Sequence, residues 1–157
     1  MRRVYLYKNF PQTVSKVFIL SHFLVGGRST EVYAFDVANP TDYASVNNYT
    51  CAINILVPTA DFMIGKHIQG SWTTLASEAV DLSTNTYYKV AFLVDGANNV
   101  LKAWREQDPI DIASPKLSAN DSDITSFNSF ALACTMSNTS TTETYKFKVP
   151  LIVVWKY

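Results

Sequence analysis

Between residues 145 and 157 every second position is apolar: Tyr145, Phe147, Val149, Leu151, Val153, Trp155 and Tyr157. A period of two belongs to a β-strand, whose successive side chains point to opposite faces, and does not fit a helix of 3.6 residues per turn. The pattern sends seven apolar residues to one face and Lys146, Lys148 and Lys156 to the other. A slip of one residue would bury the lysines, so the register is strongly specified. Pro150 lacks an N–H and asks for an edge position or a bulge at that point.

The same period recurs upstream. Tyr88, Val90, Phe92 and Val94 alternate through residues 87–94, which run into the turn signal Asp95-Gly96-Ala97-Asn98-Asn99 and out through 100–104 as a hairpin. Residues 14–25 are apolar on both faces, as expected of a strand covered on both sides. Shorter strands are predicted at 3–7, 31–37, 49–57, 63–69, 72–75 and 127–136. The longest connection, 107–126, holds Pro109, Pro115, Asn120 and four aspartates, and reads as an exposed loop of functional or interfacial use. There is no amphipathic helix, internal repeat or linker. Residues 1–157 are therefore expected to form one all-β domain, an antiparallel β-sandwich of the jelly-roll kind with about eight strands. A chain of 157 residues buries roughly two thirds of its unfolded surface and needs no disulfide or metal to fold.

Charge is sorted along the chain although the formal net charge is zero. Arg2, Arg3, Lys8, Lys16 and Arg28 face no acid in the first thirty residues. All thirteen acids lie between Glu31 and Glu143, and the chain closes on Lys146, Lys148 and Lys156. If the fold joins the two basic ends, they form one positive face of the kind that meets phosphate. Only 17% of residues are charged, below the usual ~25%, while 13% are aromatic. That balance fits a surface partly covered by other copies of the chain, and an aromatic-rich core accounts for it equally.

The chain carries no HExxH, no GxSxG and no glycine-rich phosphate loop. His22 lies within the apolar 14–25 stretch and reads as a core or interface residue. His67 has no neighbouring ligand partner, which argues against zinc. The glutamates are scattered. Asn120-Asp121-Ser122-Asp123 offers oxygens to calcium, and a solvated acidic loop explains it as well. No catalytic residue, metal or cofactor is assigned. Cys51 and Cys134 form no CxxC pair and are expected as buried free thiols. No stretch approaches the ~18 apolar residues of a membrane span. The residues after Met1-Arg2-Arg3 do not read as a signal peptide, which points to the cytosol or something assembled there.

Two resemblances follow. The chain length, the short basic lead Met1-Arg2-Arg3, the all-β pattern and the final strand resemble the small single-jelly-roll coat proteins of satellite and other small icosahedral viruses. That resemblance implies a self-assembling capsid protein in a virion built in the host cytoplasm. Its partners would be further copies of itself and viral nucleic acid, the latter met by Arg2, Arg3, Lys8, Lys16, Lys146, Lys148 and Lys156, with Tyr5 and Tyr7 stacking on bases. The missing long basic arm departs from that pattern. Separately, Gly70-Ser71-Trp72-Thr73-Thr74-Leu75 through Tyr87-Tyr88-Lys89-Val90-Ala91-Phe92-Leu93-Val94-Asp95-Gly96 to Lys102-Ala103-Trp104 is similar to the middle of laminin-G and concanavalin-like sandwiches. This alternative implies a carbohydrate-binding module in which Trp72, Tyr87 and Trp104 are sugar-stacking platforms.

Overall fold

The computed structural model describes residues 2–25, 29–56, 59–81, 86–106, 111–136 and 147–155. Among them every regular element is a strand, and no helix is long and apolar enough to cross a membrane. Eleven strands are present: β1 (Arg2–Val14), β2 (Lys16–Val25), β3 (Ser29–Phe35), β4 (Asn48–Leu56), β5 (Thr59–Ile68), β6 (Ser71–Val80), β7 (Thr86–Asp95), β8 (Val100–Arg105), β9 (Leu117–Asn120), β10 (Phe127–Met136) and β11 (Phe147–Trp155). They form two antiparallel sheets, β1-β10-β3-β4-β5-β6 and β11-β2-β7-β8-β9. The inner faces enclose a core that includes Val17, Ile19, Val32, Ile53, Phe62, Ile64, Phe92, Leu101, Phe127 and Leu132. Each such side chain contributes about 1.5–3 kcal/mol by leaving water.

The fold class is as expected, with more strands than the eight anticipated. Residues 14–25 are not one strand: Val14 pairs with Phe127 in the six-stranded sheet and Lys16 with Asp95 in the five-stranded sheet, so the chain changes sheets at Ser15. Its double-sided apolarity belongs to β2, whose Val17 and Ile19 enter the core while Phe18 and Leu20 are half-buried on the other side. The 107–126 segment is not wholly loop, because Leu117–Asn120 adds β9 to the edge of β8. Four residues are too few for periodicity to declare a strand.

Pro150 lies where expected. β11 is an edge strand, and its register shifts between Lys148 and Leu151. The shift also divides the long alternation, since Phe147 stands opposite Phe23 whereas Leu151 and Val153 stand opposite Leu20 and Phe18, positions of the other parity. Phe147 therefore takes a register position of one parity and Leu151 and Val153 of the other, while Tyr145 and Tyr157 lie outside the described residues.

The β7–β8 hairpin follows the predicted turn, with Asp95 opposite Val100 and Asn99 at φ 59°. Asp95 accepts hydrogen bonds from the Asn98 backbone and side chain at 3.2 and 2.9 Å. Gly96 is required by proximity: a Cβ there would lie 2.4 Å from the Thr125 carbonyl oxygen. Cys51 is a buried free thiol, its ionisation pushed upward by burial; the Cys134 side chain lies outside the described residues.

Candidate functional site

The two-residue turn Gln69-Gly70, with φ of 50° and 81°, sets Ile68 opposite Ser71 and hence His67 opposite Trp72. From this hairpin the register runs across the whole outer face of the six-stranded sheet. One row reads Trp72, His67, Asn48, Phe35, Ser129, Asn9, and the next Thr74, Gly65, Thr50, Tyr33, Ala131, Tyr7. Gly65 has no side chain because the Trp72 indole lies over it; a Cβ would sit 2.3 Å from two ring carbons. Trp72 donates its indole N–H to Thr74 Oγ1 at 3.2 Å and keeps 41% of its surface exposed.

Aromatic contacts continue inward from Trp72. Its ring centroid lies 4.7 Å from His67, whose other neighbour is the edge of Tyr43 at 5.3 Å. Tyr43 meets Tyr33 at 5.6 Å, and Tyr33 stacks on Phe35 at 5.3 Å. Tyr43 belongs to the β3–β4 connection, residues 36–47, which folds across the outer face and buries Tyr33 and Phe35. This strap is held at several points. Asn48 donates to the Tyr43 and Val46 carbonyls at 2.7 and 2.9 Å, Ser129 to the Val37 carbonyl at 2.6 Å, and Asn128 to the Asp36 carbonyl at 2.5 Å. At its far end Asn9 and Asn39 exchange two hydrogen bonds, side chain to side chain at 2.7 Å and Asn39 backbone to Asn9 Oδ1 at 2.9 Å.

Beyond the strap, β4, β5 and β6 bring Asn54, Asp61, Met63, Ser77 and Ala79 to the same face as Trp72. Glu31 is buried at the boundary, where Ser29 donates to it at 2.9 Å and the Tyr33 hydroxyl donates to its other oxygen. An exposed indole bonded to a hydroxyl of its own strand, on a face that further along carries hydroxyl, carboxylate and amide groups, can hold an extended ligand with an apolar face and a polar rim.

A second polar cluster ties the sheets together. Lys66 reaches Asp121, and reaches Asp123 at 2.5 Å; Tyr49 donates to Asp121 at 2.6 Å and accepts the Ile124 N–H at 3.1 Å. Burial would raise the Asp121 pKa, but the bonds from Lys66, Tyr49 and the Asp123 backbone outweigh it and hold the carboxyl below its usual range. Burial likewise opposes the Lys66 charge, and the two aspartates raise its pKa in spite of it. Two carboxylates of the loop considered for calcium thus face an ammonium, and among the described residues no group of three or more metal-ligating side chains occurs.

The sequence-predicted residues are dispersed. Trp72 is on β6 of the six-stranded sheet, while Tyr87 and Trp104 are on the outer face of the five-stranded sheet. The segment that suggested them crosses from one sheet to the other after β6. Trp104 is 1% exposed and donates its N–H to the Asp111 carbonyl at 2.8 Å, so its ring is not available for stacking. The first and last strands are not sheet neighbours. Arg2, Arg3 and exposed Lys8 lie on β1 in one sheet; Lys16 on β2 and Lys148 on β11 lie in the other. Lys16 is ion-paired with Asp95 at 2.7 Å, where the bonds from Lys16 and Asn98 overcome burial and lower the Asp95 pKa. Lys146 and Lys156 lie outside the described residues, and Tyr5 shares a register position with Ala133 on β10. His22 is half-buried opposite Lys89.

Sequence reasoning did not single out Gly65, Asn54, Asp61, Ser77 or the strap. The Gln69-Gly70 turn was the signal available, because its centre fixes which residues of β5 and β6 stand opposite one another.

No protein-family model and no curated protein sequence matches the chain. Solved structures do. A carbohydrate binding module from Bacillus subtilis, CBM66, superposes with a TM-score of 0.60 at 14% identity, covering 83% of this chain and 73% of that one. CG-16, a homodimeric agglutinin from chicken liver, gives 0.55 at 9% identity and covers 96% and 98%. A β-glucanase from Bacillus licheniformis gives 0.52 at 12% identity, covering 92% and 73%. The shared fold is a two-sheet antiparallel β-sandwich. At these identities the likeness is one of architecture. It agrees with the second resemblance and not with the first, and no viral coat protein is among these structures. In this sandwich, exposed Trp72 and Ser77 and half-buried Asn54 and Asp61 belong to the six-stranded sheet.

Proposed function

We propose that the chain is a carbohydrate-binding module rather than a coat subunit, and that it acts by binding without catalysis. The observation that carries this reading is the Trp72 indole, laid over Gly65 with two fifths of its surface open and bonded to Thr74, on a face where Ser77, Asp61 and Asn54 follow further along the strands, within reach of a chain of sugar units. A pyranose ring has C–H faces that pack on an indole and hydroxyls that exchange hydrogen bonds with amide, carboxylate and hydroxyl groups. The sheet supplies the rigidity, since a site built on strands is held more closely than one built on loops. Several structures of this fold are named for carbohydrate binding or agglutination, which supports the same reading.

The test is direct titration with a panel of oligosaccharides, followed through tryptophan fluorescence. A binding sugar should change the emission, and Trp72→Ala should weaken its affinity by about tenfold or more, equivalent to ~1.4 kcal/mol. Undiminished binding by Trp72→Ala would remove Trp72 from the site. Co-purification of the protein as a large particle with nucleic acid would return the coat-protein reading.

A further inference from the structure

The outer face of the six-stranded sheet holds a concavity at the end remote from Trp72. Where the strap passes over β3, β10 and β1 it leaves a groove of about 410 Å³, walled by Tyr7, Phe35 and Tyr43, with Pro40 and Thr41 along its lip. That volume is in the ordinary range for small-molecule sites. From Trp72 on β6 to Tyr7 on β1 there are five strand spacings, or ~24 Å at ~4.8 Å each. The two places are therefore separate, although Tyr43 lines one and touches His67, the neighbour of Trp72 in the other.

The groove's chemistry is selective. None of its lining residues carries a charge, so it offers nothing to a phosphate, a carboxylated sugar or an ammonium group. Its surface combines the Tyr7 and Tyr43 rings, with Phe35 buried beneath them, and polar groups. Asn39 stands at φ 54° and is fixed by Asn9, which uses Asn39 Oδ1 and its backbone N–H and leaves Asn39 Nδ2 without a partner among the described residues. The Tyr7 and Thr41 hydroxyls also make no hydrogen bond within the structure, and Tyr7 is 48% exposed. Two hydroxyls and an amide donor beside aromatic rings match a ligand that is uncharged, ring-shaped and rich in hydroxyls.

We infer that this groove is a second saccharide subsite, specific for an uncharged sugar unit, with Tyr7 as its stacking wall and Asn39 as its preorganised donor. The inference rests on the carbohydrate-binding reading for its ligand class, and on the groove's own geometry for its place. Asn9 is a positioning residue, acting only through Asn39.

The test is a two-dimensional NMR titration of the intact chain with neutral oligosaccharides, with two separate reporters. These are the Trp72 indole N–H for the first site, and the Asn39 side-chain amide with the Ala131 backbone amide for the groove. A neutral sugar should shift the groove signals, Tyr7→Ala should weaken that response about tenfold, and the Trp72 indole response should persist in the variant. Asn9→Ala should weaken the groove response while leaving the Tyr7 ring in place. Shifts confined to Trp72 would overturn the subsite and leave the main reading intact. Shifts confined to the groove would uphold the subsite and remove Trp72. A groove that answers to anionic sugars or a proline-rich peptide instead of neutral sugars would overturn the assignment of ligand, and silence at both reporters would overturn both readings.

Discussion

The two outer faces of this sandwich are built from the same period-two alternation and differ in what they leave open. On the six-stranded sheet, Trp72 rests on a glycine and hydrogen-bonds to its own strand, so its ring looks outward. On the five-stranded sheet, the 111–116 segment returns over Trp104, takes its N–H through the Asp111 carbonyl and closes the ring in. Phe18 is set edge-on against that ring, at 6.1 Å and 62°. One tryptophan is a surface and the other is part of the packing. Tyr87, 38% exposed on the same side as Trp104, stands opposite Leu24, with Lys89 and His22 as the next pair along β7 and β2. The difference lies in what is laid over each ring, not in residue type or strand pattern.

That contrast can be broken most forcefully at Trp104. Trp104→Ala should cost about 3–5 kcal/mol of stability, read by chemical denaturation, with the sugar response of any folded fraction unchanged. A mild loss would mean that the returning segment does not seal the ring. Next comes the link between sheets. Lys66→Met leaves the Asp121 carboxylate without its cation and should cost about 2 kcal/mol, without changing saccharide affinity.

Acid acts on the same link. The folded pKa values of Asp121 and Asp95 are held below their unfolded values, so their contribution is complete above the ordinary carboxylate range and is lost as pH falls through the folded values. Thermal melts should be level near neutrality and drop below about pH 4. In Lys66→Met the drop should be shallower. Gly65→Ala sharpens the comparison from the other side: stability should move by less than about 1 kcal/mol while sugar affinity falls, because the added methyl displaces the Trp72 ring. Smallest of all, Tyr87→Ala should change stability by no more than ~0.5 kcal/mol and leave saccharide binding as it was.

The architecture was legible because alternation reports directly on strands. Tyr88, Val90, Phe92 and Val94 declared β7, and Asp95-Gly96 declared its turn. The candidate face was not, for a physical reason: Trp72 meets His67, and Asn54 meets Asp61, through strand pairing, and pairing is set by turns and long-range packing. Trp72 and Trp104 read alike in sequence because the cover over Trp104 comes from a loop whose path no local pattern reveals. The basic ends misled in the same way. Lys8 and Lys16 are eight residues apart, and Ser15 between them sends the chain to the other sheet. A jelly-roll alternation is common to shells and to sugar-binding sandwiches, so it could not choose between them.

The position of β1 bears on how the molecule comes to exist. Among the described residues its sheet neighbour is β10, with Arg2 opposite Met136, so β1 is synthesised long before the strand it pairs with. Strands β3 to β6 can close locally as a meander during synthesis, but the β1 edge and the groove built on it form only after β10 has been made. Any truncation short of β10 would therefore yield a nascent chain with the Trp72 hairpin in place and the Tyr7 wall missing.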